Sequence, residues 1–314
     1  MFASTDFQGA ARLLAAIVIA ATLAVTSGAQ TGGVRQEFDK QFLAELQRIA
    51  QDSRSVVGIK VIDLTDGTDF GVHDELVFPQ ASAIKVPVLI ELFKQADKAP
   101  ALLKDRKSVD STNRSGGSGI IGRFTDSSST LSLEDLAVLM VVLSDNTATN
   151  ILVDAVGRDN INRTLGTMGL RDTFVGWGAN RTDSNARSEN VSSPAEAAAV
   201  MRRIAKCDLP MSESSCKRLR EILEMPKDDP VRNGIIPANV KVAFKPGYTN
   251  NVRTAWAIVD LPGRPYVLAV MTTFNASGIP MDGDGADIVR SVSKAAYQHF
   301  IRLPRARTEG SRGQ

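Results

Sequence analysis

The chain has 314 residues, is 43% hydrophobic, and carries 37 basic against 35 acidic residues for a net charge of +2. That length supports one large core or two small ones. No basic stripe interleaved with aromatics runs through it, so nucleic acid is excluded as the expected partner.

At the N-terminus, Arg12 precedes the apolar run "LLAAIVIAATLAV", followed by Ser27, Gly28 and Ala29. This pattern predicts a cleavable signal peptide over 1–29, with the mature chain beginning near Gln30. The run is short for a bilayer span, which argues against a stable membrane anchor. The expected location is across the inner membrane, periplasmic or extracellular. Only Cys207 and Cys216 are present, nine positions apart around "KCDLPMSESSC". An oxidising compartment favours a disulfide between them, with two reduced buried thiols as the alternative.

Helical periodicity opens the mature chain in "EFDKQFLAELQRIAQD". "SVVGIKVIDL" and "TDFGVHD" then read as a strand hairpin turning through Asp66 and Gly67. The middle is helical: the apolar run "ASAIKVPVLI", then "LSLEDLAVLMVVLSD", "NTATNILVDAVG", "DNINRTLGTMG", "SPAEAAAVMRRIAK" and "SSCKRLREILEM". Ser132 and Ser193 are N-cap candidates, the latter followed by Pro194 in the first turn. Strands return in "VKVAFKPG", "VRTAWAIVDL" and "RPYVLAVMTTF", and a helix from about Asp284 to His299 closes the fold. Early strands, late strands and helices between them predict an α+β fold. Its antiparallel sheet has about five strands, flanked by N- and C-terminal helices, with an inserted all-helical subdomain. The domain is expected over 30–303, with a disordered tail at 304–314.

Ser-x-x-Lys occurs three times, at Ser82/Lys85, Ser214/Lys217 and Ser291/Lys294. The last two pairs stand in polar, exposed helix. Lys85 stands in a run that is apolar nearly all round, where an ammonium has little room to reach water. Residues three apart share a helix face, and desolvation lowers a lysine pKa. Ser82 and Lys85 therefore read as a nucleophile with its base. Along "VKVAFKPG" the alternation sets Lys241, Ala243 and Lys245 opposite Val240, Val242 and Phe244, and Pro246 demands an edge strand. With only His73 and His299, and no Gly-x-Ser-x-Gly elbow, a histidine triad is set aside. "RSGGSGIIG" reads as a loop at a cleft rim. No metal site or organic cofactor is indicated.

Ser82/Lys85, then Ser144-Asp145-Asn146, then Lys245-Pro246-Gly247 follow one another in this order. With "GGSGIIGRF", "SDNTATNILVDAVG" and "RPYVLAVMT" around them, the chain resembles class A β-lactamases among the penicillin-recognising serine hydrolases, from about Val34 to Leu303. The resemblance implies a monomer that opens a β-lactam amide through a Ser82 acyl-enzyme, with Lys85 as base. It gives Ser144 a proton-shuttle role and Asn146 a hydrogen bond to the substrate's amide side chain. Lys245, Gly247, Tyr248 and Thr249 would line the substrate site, and the backbone N–H groups of Ser82 and Tyr248 would form the oxyanion hole. As a bland reading, Asp145 is a helix cap.

Two departures stand out. Pro246 replaces the family's threonine, removing a hydroxyl that helps bind the substrate carboxylate; Arg253 and Thr249 are candidates to substitute. The Glu-x-x-Leu-Asn segment that activates the deacylating water is missing from "RDTFVGWGANRTDSNARSEN", leaving Asp183 and Glu189 as possible bases. Glu189 equally fits loop closure or capping. A D-alanyl peptidase or esterase of the penicillin-binding type, with slow deacylation on cell-wall peptides, is therefore the alternative enzyme. A non-catalytic domain binding peptidoglycan or β-lactams is the alternative outside catalysis, and Ser82→Ala distinguishes it by leaving function intact.

Overall fold

A computed structural model describes residues 33–125, 128–176, 189–233, 235–273 and 284–304. The chain divides into two compact units, Met1–Ala44 and Glu45–Gln314. Of the first, the described part is the opening of helix α1 (33–52); the second carries everything that follows. The expected leader over 1–29, Asp183, and the expected tail beyond Pro304 lie outside the described residues.

Strands β1 (Val56–Asp63) and β2 (Asp69–Val72) form the expected hairpin. Gly67 turns it at φ +81°, a conformation that costs glycine little. The chain then leaves the sheet and returns as β7 (Val242–Thr249), β8 (Val252–Val259) and β9 (Tyr266–Thr273). β1 pairs antiparallel with β9 along its whole length, Val56 opposite Thr273 and Asp63 opposite Tyr266. The order β2-β1-β9-β8-β7 makes β7 an edge strand, as Pro246 requires.

Cross-strand register fixes the faces. Lys245 stands opposite Trp256, and Ala243 opposite Ile258. Trp256, Ile258, Ala243, Val267, Ala269 and Met271 all join one hydrophobic cluster with the inserted helices. Lys245 therefore faces the helical layer, on the side the alternation assigned to it. Helix α8 (Asp284–Arg302) packs on β8 and β9, where Phe244, Ala257, Leu268 and Val270 bury the opposite face.

Between β2 and β7 lie helices α2 (Lys85–Lys98), α3 (Leu133–Val142), α4 (Asn146–Val156), α5 (Arg158–Thr167), α6 (Pro194–Lys206) and α7 (Glu213–Glu224). Helix α2 is the hub, packing on α4, α5 and α7. Its Val86, Leu89, Leu92 and Phe93 are almost wholly inaccessible. Ser132 caps α3 by accepting from the Asp135 N–H, and Ser193 caps α6 by accepting from Glu196. Cys207, at the end of α6, is disulfide-bonded to Cys216 of α7, with the Cα atoms 5.7 Å apart.

Two features were not legible as regular elements. Strand β3 (Phe78–Pro79) pairs with β6 (Val191–Ser192), and β4 (Arg106–Ser108) pairs with β5 (Thr130–Ser132); such short ribbons carry no periodicity. Ser82 is also not on an α-helix: Ala81–Ile84 form a single 3-10 turn that leads into α2 at Lys85. The turn starts from Ala81 at φ +45°, a backbone state that prevents an α-helix from extending back through it.

Candidate active site

The serine turn, the α3–α4 connection and the edge strand meet at one place. In a 3-10 turn residues three apart eclipse one another, so Ser82 and Lys85 start from one side of the backbone. Ser82 is half-buried; Lys85 is fully buried within a wall of valine, leucine and isoleucine. Its Nζ donates to Ser144 O at 2.6 Å, Asn146 Oδ1 at 2.9 Å and Ser144 Oγ at 3.2 Å. Burial pushes its pKa down to about 7, against the opposing charge of Asp145. The sequence pattern paired Lys85 with Ser82; these hydrogen bonds reach across to the Ser144 connection. The Ser144 carbonyl and the Asn146 side-chain oxygen are both carbonyl-type acceptors that hold the amine on this connection.

Lys245 approaches the same hydroxyl from the sheet. It is fully buried, and its Nζ donates to Ser144 Oγ at 3.1 Å and Pro246 O at 2.9 Å. Burial holds its pKa well below the usual lysine range, reinforced by the nearby charges of Lys85 and Lys227. Ser144 thus bridges two amines that resist being charged together. Its backbone sits at φ +53°, a strained state for a residue with a β-carbon, of the kind that clusters at functional sites.

Asp145 fixes that connection. It caps α4 by accepting from Ala148 N, as its bland reading holds, and its other oxygen accepts from Ile120 N at 2.6 Å and Ile121 N at 3.0 Å. The glycine-rich rim is thereby tied to the Ser-Asp-Asn turn. A β-carbon on Gly119 would stand 2.2 Å from Asp145 Cγ, so no other residue fits there. Asn146 divides its amide between Lys85, through Oδ1, and Gly116 O, to which Nδ2 donates at 2.9 Å.

On β7, Gly247 lets the strand pass the serine turn: a β-carbon there would lie 2.4 Å from Gln80 O and 2.7 Å from Ala83 N. Tyr248 and Thr249 are exposed beyond it. Arg253 stands opposite Tyr248 in the register, with its guanidinium 5.0 Å over the Tyr248 ring. It is therefore on the sheet face away from Lys245, yet it lines the same cavity. That cavity, about 430 Å³, is also walled by Ser144, Lys245, Lys227 and Arg290. Lys227 was not singled out in the sequence; its Nζ donates to Leu223 O and Met225 O at the end of α7. Burial pushes its pKa down to about 8. Glu189 is exposed, just ahead of Asn190, whose carbonyl accepts from Gln80 N at 2.8 Å. The other Ser-x-x-Lys pairs, Ser214/Lys217 and Ser291/Lys294, are exposed on α7 and α8.

A sequence profile described as the beta-lactamase enzyme family matches residues 41–300. The chain belongs to that family. As a member it is a β-lactamase-like hydrolase. It is 25% identical over 286 residues to a β-lactamase of Bacteroides uniformis, covering 84% of this chain and 93% of that one. Beta-lactamase L2 of Stenotrophomonas maltophilia is 29% identical over 104 residues, and the chain spans about a third of that relative's length, 34%. Among solved structures, a point mutant of PBP-A in acyl-enzyme complex with penicillin G superimposes with a TM-score of 0.74. That match has 26% identity and covers 85% of this chain and 97% of the other. These β-lactamase and penicillin-binding likenesses accord with the α+β architecture.

Proposed function

We propose that the protein is an exported class A-type serine acyl-hydrolase that opens β-lactam amides through a Ser82 acyl-enzyme. The observation that carries this reading is the convergence of two buried, pKa-lowered lysines, Lys85 and Lys245, on Ser144, with Ser82 half-buried on the turn that leads into Lys85. Neutral Lys85 takes the Ser82 proton as Oγ attacks the carbonyl carbon. The backbone N–H groups of Ser82 and Tyr248 meet the developing oxyanion; each such donor is worth roughly 2.7–4 kcal/mol in the transition state. As the ring C–N bond breaks, Ser144 hands its hydrogen to the departing nitrogen, and the neighbouring amines reprotonate it. Asn146 holds the substrate's amide side chain, and Arg253 with Thr249 receives its carboxylate in place of the hydroxyl absent at Pro246. Water, activated by Asp183 or Glu189, then releases the acyl group.

Residues 1–29 would act as the leader, with 30–303 as a monomeric periplasmic or extracellular domain. Among the described residues no helix is long and apolar enough to cross a membrane. The missing Glu-x-x-Leu-Asn segment and the likeness to PBP-A favour a second reading. In that reading the enzyme acts on D-alanyl peptides or esters and is trapped by penicillin.

Intact mass, followed over time after mixing with penicillin, separates these outcomes. The first reading expects a transient adduct on Ser82 with turnover of a chromogenic cephalosporin, and the second a persistent adduct. Ser82→Ala is expected to show neither. An unmodified wild-type chain that leaves the cephalosporin intact defeats both.

A further inference from the structure

Gln80, two residues before the nucleophile, is fully buried although its side chain is a polar amide. Every polar position on it is used. Nε2 donates to Phe78 O at 2.9 Å and Ser192 O at 3.1 Å, with Met271 Sδ alongside at 3.0 Å. Oε1 accepts from Trp256 Nε1 at 2.9 Å. The amide orientation is unambiguous, because an indole N–H only donates and a backbone carbonyl only accepts. The main chain of Gln80 is equally engaged. Its N–H donates to Asn190 O, and its carbonyl accepts from Ala83 N at 3.1 Å and Thr254 Oγ1 at 3.0 Å.

These bonds surround the least relaxed part of the site. Ala81, between Gln80 and Ser82, is held at φ +45°. On its far side, Gly247 of β7 passes so close that a β-carbon would be 2.4 Å from Gln80 O. The position of Gln80 therefore fixes the gap between the turn that carries Ser82 N–H and the strand that carries Tyr248 N–H. A core hydrophobe at this position would fill the space without fixing it, since dispersion contacts are not directional.

We infer that Gln80 is a positioning residue for acylation, locking the serine turn against β7 and β8 so that the nucleophile and the oxyanion donors keep their spacing. The inference rests on the acyl-enzyme reading above. Its test uses the full chain and benzylpenicillin, with quenched-flow intact mass giving the saturating acylation rate and the half-saturating concentration. Gln80→Met keeps the volume and removes the amide. The expected result is a saturating rate about 10- to 100-fold lower, the scale of a displacement near 1 Å, with half-saturation changed far less. Gln80→Glu supplies the pH readout. A buried carboxyl with no cation beside it is protonated readily, and in that form it both accepts from Trp256 and donates to one carbonyl. Its acylation rate relative to wild type is expected to rise as the pH falls. A folded Gln80→Met that acylates at the wild-type rate, with only its melting temperature lowered, overturns the inference. Should that variant not fold, a pH-independent ratio for Gln80→Glu does so. Wild-type protein that takes up no penicillin overturns the parent reading and this one together, whereas normal wild-type acylation with unaffected variants removes this one alone.

Discussion

Asp145 takes no bond-making step in the proposed reaction, yet it orders the segments that carry the candidate groups. Three backbone N–H groups point at it, from Ala148, Ile120 and Ile121, and its charge partly offsets the desolvation of Lys85. Asp145→Asn should act in two measurable ways. Losing the charge lowers the Lys85 pKa further, so the rise of acylation rate with pH, expected near 7 in the wild type, moves to lower pH. Losing charge-assisted bonds, worth about 1.5–3 kcal/mol each, costs about 2–4 kcal/mol of unfolding free energy, because asparagine retains some of them. A pH–rate profile of single-turnover acylation and a urea melt check the two effects, and an unmoved profile would separate Asp145 from the base. Ser82, Lys85, Ser144, Asn146 and Lys245 could be named as candidates because motif order does not depend on how the side chains meet. The partners of Lys85 could not, since its amine crosses to a segment about sixty positions away.

At the scale of elements, long amphipathic or apolar segments were readable to within a few residues. Helices α6 and α7 and strands β7 to β9 stand where periodicity and caps placed them. The serine turn was not, because its 3-10 geometry is imposed by Ala81 and by β7 pressing through Gly247, neither of which leaves a periodic trace. The α6–α7 corner gives a test at this scale. Cys207–Cys216 closes a loop with a separation of nine residues, and Cys207 itself occupies the left-handed region at φ +49°. Chain-entropy arguments give a loop of that size roughly 2.5 kcal/mol. Reduction, or the double change Cys207→Ser with Cys216→Ser, is expected to lower the denaturant-derived stability by about that amount while acylation continues. Loss of acylation in the folded, reduced protein would instead place the corner in control of the site.

Across the whole molecule, the site is held at a cost in stability. Lys85, with a pKa near 7, and Lys227, near 8, both fall below the usual lysine value of 10.5, and burial lowers Lys245 well below it too. The unfolded chain therefore binds more protons than the folded one above these values and up to about 10.5. Stability should rise with pH across that window. Thermal midpoints at pH 7 and 9 check this. Lys245→Met, which removes a buried amine, is expected to flatten the dependence and raise the midpoint at pH 7 while abolishing efficient acylation. An unchanged slope would mean that the lysines are better solvated than their burial implies.

The sequence alone determined the α+β class, the placement of the long elements, the edge position forced by Pro246, and the motif residues Lys85, Ser144, Asn146 and Lys245 that meet in the structure. These follow from local terms: periodicity, caps, proline's missing donor, and the order of three short motifs. Only the tertiary structure decided which hydroxyl the two amines share, how Asp145 ties the glycine-rich rim to the connection, and which groups bond the buried Gln80 ahead of the serine turn. Each depends on groups far apart in the chain, 25 residues between Asp145 and Ile120 and 176 between Gln80 and Trp256. Hydrogen-bond partners at such separations are set by packing, which no local pattern encodes.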